Sequence, residues 1–302
     1  MSDQPLVSII MNCYNGETYL SKALDSITLQ TYTNWEIIFW DNKSNDKSAD
    51  IFNEYKNNDK RLKYYLAPKH SSILYKARNL ALKEARGNFI AFLDVDDWWL
   101  PTKLEKQIPM FQDNQVGLVY GNCYIFLEKK NKKKIYRNKN LPTGEVLNEL
   151  LKDYFIASPT YVVRKKALQS MSYNFNDNYH IIGDFDLNAR LASRWKFECV
   201  QSPVAYVRVH GKNESLLKRQ TEINELKIWY NEMKNNPSFS NKPNLNQVLL
   251  MTSYLEAMKL ILENEFKKSL SMIIKYPFSF KKVKLIIALL LPNFILKRIK
   301  NY

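Results

Sequence analysis

Residues 94 to 97 read Asp-Val-Asp-Asp, three carboxylates within four positions at the end of the apolar run Phe89 to Leu93. A group this dense repels itself unless a cation or ordered donors compensate it. Its hard oxygen ligands suit Mg2+ or Mn2+ held jointly with a substrate's phosphates. The alternative is a surface loop of helix-capping acids, with Asp97 favouring the next helix N-terminus electrostatically. Asp41 closes a second apolar run, Trp35 to Trp40, and Arg78 is either a phosphate contact or an exposed helix charge. In open α/β sheets, ligands sit beyond the carboxyl ends of the strands. Asn12 to Asn15, Asp41 and Asp94 to Asp97 all fall at such ends, and their convergence with Arg78 in one crevice favours a metal and diphosphate site. Asn12-Cys13-Tyr14-Asn15-Gly16 supplies one glycine, and no phosphate-cradling glycine–lysine loop occurs anywhere. Dehydrogenase and simple nucleoside-triphosphatase chemistries are weakened accordingly.

The elements that must position these groups follow a β/α rhythm. Val7 to Cys13 reads as a buried strand, broken at Asn15-Gly16 before a helix with Leu20, Ala23, Leu24 and Ile27 on one face. The unit repeats with Trp35 to Trp40 and a helix through Ile51 and Tyr55. It repeats again with Leu62 to Ala67 and a helix from Leu74 to Ala85, stopped by Gly87, and then with Phe89 to Leu93 and a helix starting near Pro101. Such alternation predicts an α/β fold with a mostly parallel central sheet. Beyond Val116 the rhythm changes. Val116 to Leu127, Ser158 to Val163 and Phe197 to Val209 are strand-like, Glu145 to Lys152 and Asp184 to Ser193 helical, and Glu128 to Lys134 a solvated hairpin tip. Leu216 to Phe266 is expected to be mainly helical and to pack back on the preceding domain.

The chain has 302 residues, 45% of them hydrophobic and 13% aromatic, which supports a buried core and excludes a disordered or fibrous chain. Three widely separated cysteines, Cys13, Cys123 and Cys199, suit neither a disulfide framework nor a metal knuckle, so a reducing compartment is expected. The opening MSDQPLVSII has an acid where a signal peptide carries basic residues, so no export signal is expected there. The net charge is +15, but from Lys267 to Tyr302 nine basic residues stand with no acid, leaving +6 for the longer remainder.

Four segments then carry a specific resemblance. Val7 to Gly16 (VSIIMNCYNG), Trp40 to Asp46 (WDNKSND), Ala77-Arg78-Asn79, and Phe92 to Pro101 (FLDVDDWWLP) are similar in order and spacing to glycosyltransferase family 2. These are inverting enzymes with the nucleotide-sugar-binding fold called GT-A. The resemblance covers about residues 5 to 213. It implies a GT-A catalytic domain over 1–215, with a nucleotide-sugar-binding half to about 115 and an acceptor-binding half beyond, followed by a helical extension over 216–302. It implies a nucleotide-sugar donor, most commonly UDP-linked, held by Asn12, Tyr14, Asn15, Asp41, Arg78, Asp94, Val95 and Asp96. Asp41 would lie near the base and Asp94 on the ribose side. Asp96 would bind Mn2+ or Mg2+, with Asp94 and His210 close by and Asp97 auxiliary. His180 to Leu191 resembles the family's acidic motif before a helix, which makes Asp184 the catalytic base. Helix N-capping is its alternative role, and Asp186 is the backup. His210, in Tyr206-Val207-Arg208-Val209-His210 followed by Ser215, is otherwise a turn histidine. His70 and His180 are weaker candidates, and Trp98 and Trp99 shape the sugar pocket or pack in the core. Two positions depart from the pattern: Gly183 stands where the family usually has Glu, and Ile73 where it often has Gly.

The tail needs its own account. Leu285 to Leu291 and Phe294 to Leu296, split by Pro292-Asn293, are too short to span a bilayer. Lys281, Lys282 and Lys284 precede them and Lys297, Arg298 and Lys300 follow. An interfacial anchor for anionic lipid is expected, with a packed terminal helix as the alternative. The anchor places the enzyme peripherally on the inner face of a bacterial membrane. It also suggests a saccharide or lipid-linked saccharide acceptor in polysaccharide, capsule or lipopolysaccharide synthesis. No nucleic acid is expected, because the strand-end carboxylates would repel a phosphate backbone. A catalytically silent scaffold and a nucleotidyltransferase remain as other classes.

Overall fold

The apolar runs become strands, and the polar breaks between them become the loops that hold the candidate residues. The computed structural model describes residues 4–292 and 295–296. Expectations placed on Met1-Ser2-Asp3, on Asn293-Phe294 and on Lys297 to Tyr302 lie outside the described residues. The first part of the chain runs β1 (Val7–Cys13), α1 (Leu20–Thr28), β2 (Trp35–Asp41), α2 (Ser48–Asn58), β3 (Leu62–Leu66), α3 (Leu74–Lys83), β4 (Phe89–Phe92), β5 (Trp98–Trp99) and α4 (Lys103–Gln107). It continues through β6 (Val116–Leu127), β7 (Lys132–Ile135), α5 (Leu147–Lys152), β8 (Val162–Arg164), α6 (Lys165–Gln169), α7 (Gly183–Ala192) and β9 (Lys196–Val209).

The strands form one nine-stranded sheet in the order β3-β2-β1-β4-β8-β6-β9-β5, with β7 paired to β6. The first four are parallel, as βα alternation requires. Later strands join antiparallel, so the complete sheet is mixed. β1 and β2 are buried along their whole length because helices cover both faces, which is why they read as predominantly apolar runs, and the polar residues within them, Ser8, Asn12, Glu36 and Asp41, are buried too. One face carries Val7, Ile9, Met11, Trp35, Ile37 and Phe39 against Leu20, Ala23, Leu24 and Ile27 of α1 and Phe52 of α2. α3 contacts β1 and β2 as well. Register then sets the site: Cys13 lies level with Asp41, and Ile10 with Phe92, so Asp94 emerges two residues further on, beside Asn12.

Two local expectations are corrected. Ser158 to Thr160 is a 3-10 turn rather than strand, because Pro159 brings no N–H to a ladder and the Thr160 hydroxyl donates back to Ala157 O at 2.7 Å; the strand begins at Val162. Glu128 is not part of a solvated tip. It accepts from Tyr19 Oη at 3.1 Å and Arg208 Nη1 at 3.1 Å, whereas Lys132 to Ile135 are exposed. The three cysteines are free and buried, and burial pushes the Cys123 and Cys199 thiols up to about 12.

The chain divides into two compact units at Arg208/Val209, with Asn148 to Tyr154 grouped with the second. The second unit holds α8 (Glu214–Leu217), α9 (Arg219–Met233), α10 (Pro237–Ser240), α11 (Leu245–Leu262), α12 (Phe266–Lys275) and α13 (Phe280–Leu290). The expected helical character of 216–266 is present. Its core gathers Ala257, Met258 and Ile261 of α11 with Ile273, Tyr276, Leu285 and Ala288.

Beneath α3 a buried polar network ties β1, β2 and the turn before β4. Ser8 Oγ donates to Glu36 Oε1 at 2.6 Å and accepts from Gly87 N at 2.7 Å, and Lys63 pairs with Glu36. A Cβ on Gly87 would lie 2.6 Å from both Leu6 O and Ser8 N, which are backbone atoms that cannot swing aside. Gly87→Ala is therefore expected to destabilise the protein by about 1–3 kcal/mol, the cost of overpacking. The shift in urea midpoint at unchanged slope checks this, and an unchanged midpoint would refute the close packing.

Candidate active site

The helical spacing of Tyr75, Arg78, Ala81 and Leu82 puts Arg78 on the buried side of α3, where its side chain would be costly without partners. Arg78 is 1% exposed, not a surface helix charge, and its guanidinium lies 5.5 Å from the ring centroids of Tyr75 and Phe92 and 5.8 Å from that of Phe175. Nη1 donates to both carboxylate oxygens of Asp184 at 3.0 Å, and Nη2 donates to Asp94 Oδ1 at 2.5 Å. Burial works against the guanidinium's charge, but Asp184 and then Asp94 outweigh it and hold the group firmly protonated.

Asp184 is the second residue of α7, and the cap position belongs to Ile182, so capping is not its role. Its carboxylate also accepts from Tyr161 Oη at 2.5 Å and Tyr75 Oη at 3.2 Å. Asp186 faces elsewhere: it is fully buried and pairs with Arg190 at 2.8 Å, while Arg190 stacks on Tyr173.

At the end of β4 the three acids separate by environment. Asp94 is 32% exposed at its side chain, and burial pushes its carboxyl up, opposed by Arg78 and reinforced by Asp96 and Asp184. Asp96 and Val95 are half-buried. Asp97 is buried and accepts the Arg208 backbone N–H at 2.8 Å; burial, then Asp96 and Asp94, push its carboxyl well up. It does not serve α4, which starts at Lys103. Arg208 Nε also donates to Asp96 O at 2.9 Å, and its guanidinium stacks 4.5 Å from Tyr19 and 4.8 Å from Trp98.

The loop after β1 is laced to the loop after β2. Asn15 adopts φ 53° and accepts from Asn45 N at 2.9 Å, its own N–H donates to Ser44 Oγ at 3.1 Å, and Gly16 N donates to Ser48 Oγ at 2.9 Å. A Cβ on Gly16 would meet Val95 Cγ2 at 2.9 Å, so this loop rests directly on the acidic turn. Asp41 is buried and accepts from Ser44 N at 2.7 Å and Tyr64 Oη at 2.6 Å. Tyr14 is exposed, its ring 4.4 Å from that of His70, which in turn lies 3.0 Å from Asn42 O. Asn12 is 8% exposed, and both of its amide atoms are buried with no hydrogen-bond partner. Trp40 Nε1, level with it on the adjacent strand, is in the same condition.

The remaining candidates are spread out. Trp99 is core, its Nε1 donating to Pro159 O at 2.8 Å, and Trp98 stacks on Tyr206 at 4.6 Å. Ile73 has φ −106°, a conformation that does not call for glycine. His210 belongs to the second unit, in a turn where its N–H donates to Asn213 Oδ1 at 2.6 Å and its Nδ1 accepts from Lys212 N at 3.1 Å. His180 lies in the turn before α7. Among the described residues, no three His, Cys, Asp or Glu side chains converge as a metal cluster. Asp94 and Asp96 are the partly exposed carboxylates of the turn after β4, and one or two carboxylates suffice for a cation completed by a substrate's phosphates.

Sequence reasoning missed Tyr75, Tyr161, Arg208 and Glu128. Only Arg208 carried a signal, as a cation within a strand next to the motif's end.

The description Glycosyl transferase family 2 matches residues 8–171. The chain belongs to this family and is a glycosyltransferase. The match stops short of Asp184, so α7 rests on its geometry. The chain is 34% identical over 73% of its length, and 86% of the relative's, to the Escherichia coli UDP-Glc:alpha-D-GlcNAc-diphosphoundecaprenol beta-1,3-glucosyltransferase WfgD. It is 37% identical over 39% of its length, and 46% of the relative's, to the putative teichuronic acid biosynthesis glycosyltransferase TuaG of Bacillus subtilis. Its fold is GT-A-like. S. aureus TarS 1-349 with UDP superposes with a TM-score of 0.61 at 18% identity, covering 93% of this chain and 78% of that one. Mannosyltransferase PcManGT from Pyrobaculum calidifontis, with GDP-Man and Mn2+, gives 0.67 at 15% identity over 99% and 82%.

Arg78→Leu leaves two carboxylates without their shared cation. Removing one partner of a buried pair costs about 3–5 kcal/mol. Because Asp94 and Asp184 can partly rehydrate, the loss in urea unfolding is expected near the lower end of that range. A loss below about 1 kcal/mol, the value of a surface pair, would remove the guanidinium from its central place.

Proposed function

We propose that this glycosyltransferase moves a sugar, with inversion, from a UDP-linked donor to a hydroxyl of a lipid-linked saccharide in surface-polysaccharide synthesis. The carrying observation is that one buried guanidinium joins Asp94, at the sheet's ligand-binding edge, to Asp184, at the start of α7. A donor-side acid and an acceptor-side acid are thereby held in fixed relation. Asp184 is the general base: it takes the acceptor hydroxyl's proton as the oxygen attacks the anomeric carbon and the bond to the nucleoside diphosphate breaks on the opposite face. Asn12, Tyr14, Asn15, Asp41 and Val95 border the nucleotide. The buried, unpartnered amide of Asn12 supports this role, since leaving such a group unmatched costs about 1–3 kcal/mol. Asp94 and Asp96 would hold Mn2+ or Mg2+, and the ion would neutralise charge on the departing diphosphate. UDP-hexose and UDP-N-acetylhexosamine are the donor classes, in keeping with the UDP-Glc named for WfgD and the UDP bound in TarS.

Transfer is tested with UDP-glucose and UDP-N-acetylglucosamine, Mn2+ or Mg2+, and a GlcNAc-diphospho-lipid acceptor. Asp184→Asn is expected to lower kcat by about 10^2- to 10^4-fold with nucleotide binding retained, the size of a general-base contribution. Asp96→Ala and metal chelation are expected to weaken donor binding. Wild-type turnover by Asp184→Asn would remove the base assignment. Donor binding without turnover by the wild type would favour the silent scaffold.

The acceptor class also accounts for the tail. Among the described residues, no helix is long and apolar enough to cross a membrane. α13 packs one side and leaves another open: Leu285 and Ala288 are buried, whereas Ile286, Ile287 and Leu290 are exposed, which supports the anchor reading alongside packing. α12 adds Phe266, Leu270 and Ile274 at four-residue spacing, followed by Phe278 at 91% and Phe280 at 74% exposure. Lys267, Lys268, Lys275, Lys281 and Lys284 are exposed among them. This cationic, apolar surface suits an anionic bilayer and supports a peripheral position on the inner face of the cell membrane. Pelleting with phosphatidylglycerol vesicles, but not with phosphatidylcholine, is expected. Replacing both Phe278 and Phe280 with Asp should reduce binding at least tenfold, since each aromatic ring buries about 1.5–3 kcal/mol of apolar transfer. Equal pelleting by the variant would exclude this surface.

A further inference from the structure

Gly183 departs from the family pattern, and its surroundings give the reason. No positive φ requires glycine there. What requires it is space: a Cβ on Gly183 would lie 2.5 Å from Cδ2 and Cε2 of Tyr75 and 2.6 Å from its Cγ. The Tyr75 ring is 3% exposed and is held between Gly183 and Phe175, whose ring centroid is 5.2 Å away at an interplanar angle of 24°. Its hydroxyl reaches Ile181 O at 2.9 Å and Asp184 Oδ2 at 3.2 Å. α3 thus supplies both Arg78 and, one turn earlier, the group that fills the space a side chain at 183 would need.

We infer that Tyr75 is a positioning residue of Asp184 beside Arg78 and Tyr161, and that Gly183 is a glycine because the Tyr75 ring occupies the place of its side chain. The inference rests on Asp184 being the general base. A phenol has one proton and acceptor lone pairs. With Asp184 ionised, the hydroxyl donates to it. Once Asp184 has taken the acceptor's proton, the hydroxyl donates to Ile181 O and accepts from the new carboxylic acid. With Arg78 Nη1 and Tyr161 Oη on the same carboxylate, this keeps Asp184 in one rotamer in both protonation states. Where the family has Glu beside its base, this chain has a neutral hydroxyl, so the base has no like charge next to it in sequence.

The test uses full-length protein with UDP-glucose and the GlcNAc-diphospho-lipid acceptor. Tyr75→Phe keeps the ring and its packing. It is expected to lower kcat about tenfold or more with the KM for UDP-glucose unchanged and the melting temperature lowered by no more than about 2–4 °C, the loss of one buried hydrogen bond, a split that lost packing does not produce. Gly183→Glu alone is expected to lose stability and turnover against the ring. Combined with Tyr75→Ser, which clears that space, it is expected to recover at least tenfold over Gly183→Glu. Tyr75→Phe within twofold of wild type, in a background where Asp184→Asn is inactive, overturns the positioning role and leaves the base assignment standing. Equal harm from Gly183→Glu with and without Tyr75→Ser overturns the interlock. Full turnover by Asp184→Asn overturns the base assignment, and the inference with it.

Discussion

A guanidinium cannot be buried alone. Arg78 lies under α3 among the rings of Tyr75, Phe92 and Phe175, and the desolvation of its charge is offset only because two carboxylates meet it. One of them, Asp94, ends β4; the other, Asp184, begins α7, ninety positions further along the chain. Neither can drift without leaving an uncompensated charge in a largely apolar setting. The electrostatics of one side chain therefore fix the relation between the strand-end crevice and the helix that faces it. A buried ion pair is weak evidence of stability, but it is well suited to holding geometry, and geometry is what a displacement at an anomeric carbon demands.

A second, purely polar lattice holds the crevice's other wall. The loops after β1 and β2 exchange side-chain-to-backbone bonds through Asn15, Ser44, Asp46 and Ser48, and Glu17 accepts the Lys47 N–H at 2.9 Å. Gly16 lets this lattice rest on Val95, and Arg208 ties the acidic turn to β9 from the other side. Loop backbone of this kind would otherwise need water for its hydrogen bonds. Here it is satisfied within the protein, so the strand-end groups are preorganised before any ligand arrives.

Much of this was legible in the sequence where the physics is local. Val7 to Cys13 and Val116 to Leu127 could be read as strands because burial along most of their length leaves predominantly apolar runs. Ser158 to Val163 was misread because Pro159 changes the backbone without changing the hydrophobic pattern. The strand-end acids and Arg78 were legible as types at spacings, but their partnership was not, since the guanidinium's burial depends on a helix a hundred residues away. Tyr75 and Tyr161 look like any core aromatic; only their hydroxyl contacts set them apart. Gly183 was visible as a departure, while its cause sits on α3. The same holds for Glu128, which local charge composition assigns to the solvated hairpin and Arg208 draws inward.

The unequal charge along the chain follows from what the two units are asked to do. Under the proposed function, the first concentrates acids at a crevice that receives a diphosphate, which is workable only with a compensating cation nearby and would be opposed by a bilayer's negative surface potential. The second turns one side of α12 and α13 to α11 through Ile273, Leu285 and Ala288, and leaves lysines and aromatics outward. If the acceptor is lipid-linked, as proposed, it is confined to a surface, and even a weak, reversible hold on that surface raises the protein's encounter with it without any new contact to the sugar. On this argument the tail need not bind tightly. An interfacial helix, shorter than a membrane span and free of acids, is the economical solution, and α12 and α13 have that composition.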